Sequence, residues 1–152
     1  MEKEESKGTG DSKVEAQNPQ FIRFLIPLLP PSMNDIYYHI KGHFGEYQYV
    51  LKPEVRLWKT QAKEYVPTFK PNPHHPTGLF YFNWVAVGDF YYKNGKVRRR
   101  DLTNLEKVLI DAVCEKLGVG DEFIWSTQRT KRHDEKKSHI EAEFGYLSHE
   151  GD

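Results

Sequence analysis

The stretch from Arg98 to Gly118 constrains this chain most. Leu102, Leu105, Leu109, Ala112 and Val113 recur at spacings of three and four. That period predicts an α-helix with one apolar face, running from about Leu102 to Leu117. Gly118 stands where a helix takes its C-cap glycine. Asn104, Lys107 and Asp111 recur at the same spacings on the opposite side. Such a helix must lie on another layer, so the rest of the chain has to supply a partner surface. Arg98-Arg99-Arg100 and then Asp101 lead straight into it. A helix N-terminus carries unpaired N–H groups and a partial positive charge, which attract phosphate or hold a carboxylate. Three arginines, a carboxylate and an inward lysine at such a place suggest phosphodiester chemistry. Plainer readings stand beside it. Asp101 can simply be the N-cap. Thr103 with Glu106 can form a capping box two residues later. Lys107 and Asp111 can be an i,i+4 surface pair.

The chain has 152 residues, one domain by length. Its 22 basic and 22 acidic residues cancel, so no overall field draws it to nucleic acid or membrane. The charges are unevenly spread, however. Glu2, Glu4, Glu5, Asp11 and Glu15 make the start acidic, whereas Lys93 to Arg100 and Arg129 to Lys137 are basic. The one cysteine, Cys114, rules out a disulfide framework or a cysteine-rich zinc site within the chain. No apolar run is long enough to span a bilayer, and the first residues lack a signal peptide's apolar core. A soluble, intracellular (cytoplasmic) protein with no membrane partner is expected.

Residues 1–20 are charged and poor in apolar side chains, and are expected to form a disordered tail. Residues 21–147 form the expected folded domain, with 148–152 a short C-terminal tail. Phe21 to Leu29 is a predicted strand ending at Pro30-Pro31. Met33 to Val50 is expected to be irregular or a hairpin. Pro53 suits the first turn of a helix whose apolar stripe is Val55, Trp58, Ala62 and Tyr65, stopped by Pro67. Leu79 to Tyr92, aromatic and β-branched on both faces, reads as a central strand, with Gly88-Asp89 bulging or interrupting it. Asn94-Gly95 predicts a tight turn, and Lys96 to Arg100 a short returning strand. Phe123 to Lys131 and Ser138 to Tyr146 are two more predicted strands. The fold class is therefore α+β: a mixed sheet of about four to five strands with two packed helices.

Three further patterns occur in order: Pro30-Pro31-Ser32-Met33-Asn34 followed by Tyr37-Tyr38; the basic run with Asp101-Leu102-Thr103-Asn104-Leu105-Glu106-Lys107 and Asp111-Ala112; and the acid pair Asp121-Glu122 before a strand. With this order the chain resembles the RusA-type Holliday-junction resolvases, from about Pro27 to Tyr146. The resemblance implies a homodimeric, Mg²⁺-dependent endonuclease, with Mn²⁺ as substitute, that nicks four-way DNA junctions in recombination and repair. It makes Asp101, Lys107 and Glu122 catalytic residues, and Asp101, Asp121 and Glu122 metal ligands. Lys96, Arg98, Arg99, Arg100, Asn104, Arg129, Lys131 and Arg132 become candidate DNA contacts. The departure is Thr103, which stands where the family has a second aspartate. The alternative is therefore a branched-DNA binding protein that does not cleave. A sixteen-residue helix is about 24 Å long. Asp101 and the acid pair, at its two ends, meet only if the chain folds back or a second subunit intervenes.

Overall fold

The apolar stripe of the long helix finds its partner surface in a four-stranded sheet. In a computed structural model of the chain, the described residues are 20–30, 37–42, 45, 47–72, 74–75 and 78–147. The sheet is built from β1 (Phe21–Ile26), β4 (Phe80–Gly88), β5 (Ile124–His133) and β6 (His139–Tyr146), in the order β1-β6-β4-β5. β6 is antiparallel to both β1 and β4, whereas β5 is parallel to β4. A parallel pair needs a crossover, and the long helix, α2 (Leu102–Leu117), supplies it. β2 (Tyr37–Lys41) and β3 (Tyr47–Leu51) form a separate antiparallel pair, so the hairpin reading holds there.

Helix α1 (Pro53–Ala62) begins at Pro53, whose missing N–H costs nothing in a first turn. Val55, Trp58 and Ala62 are buried with Leu105, Leu109 and Val113 of α2. From the sheet, Ile22, Ile26, Phe82, Trp84, Ile140 and Phe144 complete this core. Trp58 pays for its burial by donating its indole N–H to the Leu28 carbonyl (3.1 Å). The mixed sheet with two helices is thus the expected α+β architecture.

Four local expectations change. β1 stops at Ile26, because Pro27 has no N–H to continue the ladder. Gln20, assigned above to the tail, accepts the Tyr146 N–H through its carbonyl (3.1 Å). Tyr65 leaves the apolar stripe of α1, since Lys63–Tyr65 tightens into a 3₁₀ turn whose three-residue period moves it to the surface. The turn at Asn94-Gly95 forms, with the Gly95 N–H on the Tyr92 carbonyl (2.9 Å) and a left-handed φ of 87°. Its returning arm is no strand, however, and makes only the bridge between Tyr91 and Val97. β4 already has β5 on one side and β6 on the other, so no ladder position is left for it. Pro31-Ser32-Met33-Asn34 and the segments 1–19 and 148–152 lie outside the described residues.

Candidate functional site

At the start of α2 the capping reading is the one observed. Asp101 is the N-cap, in extended backbone conformation, and its Oδ1 accepts the Thr103 N–H (2.9 Å). Its Oδ2 accepts from the Asn104 side-chain amide (3.1 Å). Both carboxylate oxygens therefore serve the first turn. Asn104, expected at DNA, is tied to this cap.

Two other polar residues of the helix, Lys107 and Asp111, open onto a cleft of ≈ 430 Å³. Lys107, Ile110 and Asp111 line it from α2; Asp121, Ile124 and Thr127 line it from the turn after the helix and from β5. The chain does fold back, bringing Asp121 to the cleft that Lys107 also lines. Asp101 and Glu122 are not among the lining residues. Asp101 stands ten residues before Asp111, about 15 Å along the helix axis. Glu122 instead curls over Gly120, where a Cβ on that glycine would run into the Glu122 carboxylate. Asp111 is the acid that sequence reasoning left without a role. Its signal was the four-residue step from Lys107, which puts both on one side of a helix.

Burial holds the Asp111 carboxyl above its ordinary value; Lys59 pulls it down, and Glu115 and Asp121 push it up. Burial also drives the Cys114 thiol up to about 12, and the charges of Asp121, Asp111, Glu122 and Glu115 add to this. Cys114 is buried and stays a thiol at neutral pH, so it is no nucleophile. Glu115 itself is held below the usual carboxylate range by its bonds to Lys59 and Lys63. Among the described residues, no three His, Cys, Asp or Glu side chains are grouped to hold a metal.

The basic candidates separate by strand parity. On β5, Thr127, Arg129 and Lys131 stand opposite Phe82, Trp84 and Ala86 of β4, the side on which the helices pack. Arg129 reaches Glu106 of α2 (3.2 Å), and Glu106 also accepts the Trp84 indole N–H (2.8 Å). The Lys131 ammonium lies 5.5 Å from the centre of the Phe90 ring. Arg132 points to the opposite face, where it pairs with Glu141. Arg129, Lys131 and Arg132 therefore do not make one surface. Arg98 is held at the turn by Asp89, by the Tyr91 carbonyl and over the Tyr92 ring. Arg100 borders a different hollow, with Asp89 and Lys136. Lys96 and Arg99 are exposed.

No protein-family model matches the chain, and no curated protein matches it either. Among the described residues, no helix is long and apolar enough to cross a membrane.

Proposed function

We propose that this chain is a Mg²⁺-dependent endonuclease for branched DNA that works as a homodimer, with its chemistry in the Lys107–Asp111–Asp121 cleft. The observation that carries the reading is this convergence of a cation and two carboxylates on a strand edge bearing Arg129 and Lys131. The donor set suits a hard ion, which takes one or two carboxylates with water and phosphate completing its shell. Asp111 and Asp121 would hold it; their mutual repulsion is the kind a cation relieves. When bound, such an ion activates a water and neutralises charge on the scissile phosphate. Lys107 faces the same space and stabilises the charge that develops on the phosphate oxygens. Arg129 and Lys131 hold the neighbouring backbone without reading bases. Two equivalent nicks in a four-way junction need two equivalent sites, which a two-fold dimer provides.

The test is cleavage of an end-labelled four-way junction with Mg²⁺ and with EDTA. Wild type should nick only with the metal. Asp121→Asn should lose cleavage and keep binding, while Asp101→Asn, which keeps the capping oxygen, should cleave. The opposite pattern would move the metal to the helix N-terminus. A second reading, binding without cleavage, is favoured by Thr103 and by the capping bonds of both Asp101 oxygens. It is correct if wild type retains the junction and leaves it intact at every Mg²⁺ or Mn²⁺ concentration.

A further inference from the structure

The chain has three tryptophans. Trp58 and Trp84 are 1% and 2% exposed, whereas Trp125 is 70% exposed. Trp125 owes its position to a break in pairing. Phe80 stands opposite Ile124 and Tyr81 opposite Ser126, so Trp125 has no partner on β4. Such bulges are rare between parallel strands, and one of their uses is to re-aim a side chain. The residues around it belong to the cleft: Asp121 and Ile124 line it just before, and Thr127 just after. Phe123, two residues earlier, is also exposed.

We propose that Trp125 is a stacking platform for an unpaired base on the strand whose phosphate enters the Lys107–Asp121 cleft. The inference rests on the nucleic-acid reading above and adds that the preferred substrate has bases with open faces. Stacking on an aromatic ring needs such a base, which a branch point or single strand offers and an intact duplex withholds. Basic side chains farther along its strand favour this occupant over a second copy of the chain. Farther along the same edge, on the face that the helices cover, stand Arg129 and Lys131. Pairing this edge with itself sets like charges together, whereas a phosphate backbone complements them.

The burial of the other two tryptophans makes the experiment selective, because acrylamide-accessible fluorescence comes from Trp125. A fluorescein-labelled oligothymidylate and a duplex of equal length serve as probes, and anisotropy reports binding separately. Binding of the oligothymidylate should shield Trp125 from acrylamide. Trp125→Ala should weaken its binding about tenfold, the effect expected of one lost stacking contact. Trp125→Phe should recover most of that loss, and neither change should alter the salt slope, since no charge is removed. Duplex affinity should hardly move. If the oligothymidylate binds while Trp125 stays open to acrylamide, the stacking role is wrong and the nucleic-acid reading survives. If neither probe nor a four-way junction binds at low salt, both are wrong. Shielding that grows with protein concentration in the absence of DNA would assign Trp125 to a contact between copies and overturn the proposal.

Discussion

β1 and β5 are the two edges of one sheet, and they are built in opposite ways. β1 is six residues long, and its Ile22 and Ile26 lie in the core. β5 is ten residues long, and none of its side chains is buried. α1 and α2 cover the β1, β6 and β4 side of the sheet, so β1 earns its place by packing. β5 lies largely beyond that cover and is held by its ladder to β4, by Ile124 packed against the core and by the Arg129–Glu106 contact. A long bare edge invites unwanted pairing, and arginines and lysines along it discourage that. The same charges suit it to a polyanion. One edge therefore serves the fold, and the other is the one that the proposed DNA contact would use.

The largest effect should come from the first edge. Ile26→Ala removes a side chain that is 1% exposed and should cost about 2–5 kcal/mol by chemical denaturation. Thr127→Ala on β5 should cost far less, and equal losses would break the comparison. Next comes a difference within β5. Arg129→Ala should lower the salt slope of junction binding by about one. Arg132→Ala, on the face where Glu141 already pairs with it, should leave the slope unchanged. Equal slopes would mean that both faces of β5 meet DNA.

The smallest effect concerns Asp111, beside the start of β5. Folding raises its carboxyl above 3.8, chiefly by burial, so the folded chain disfavours the charged form. Its contribution is fully present below 3.8 and is lost as pH rises through the raised value. At pH 7 the aspartate is therefore a small burden. Asp111→Asn should raise the Tm slightly at pH 7 and give no gain below pH 3.8. A gain of equal size at both would trace the effect to packing. If Asp111 holds the proposed ion in the folded site, saturating Mg²⁺ should raise the wild-type Tm more than that of Asp111→Asn.

The architecture was legible in the sequence wherever a period ran for several turns or a residue had one conformational use. The α2 pattern and Gly118 located the helix and its left-handed cap, at φ 71°. The returning arm after Asn94-Gly95 was misread, because a local turn signal carries no information on whether β4 has a free side. The site was legible in part. Lys107 and Asp121 lie in one cleft. Asp101 serves the helix start, and Glu122 folds over Gly120. Two adjacent acids cannot be told apart by composition; the turn decides which one faces Lys107. Likewise, Arg129 and Arg132 look alike in a basic run, and their difference is a matter of odd and even places along a strand.

The placement of β6 between β1 and β4 bears on how the chain is made. Arg23 and Glu143 touch although 120 residues separate them in sequence. As the chain leaves the ribosome, β1 emerges long before its neighbour in the sheet, β6. β4 can meet β5 earlier, across the fast-forming helix between them. The parallel half of the sheet can thus form first, while β1 waits without a partner. In that order, assembly would end with β6 entering between β1 and β4, a long-range closure of the kind that folds slowly. Until then both of those strands show open hydrogen-bonding edges, and that interval is when the chain is most exposed to misassembly.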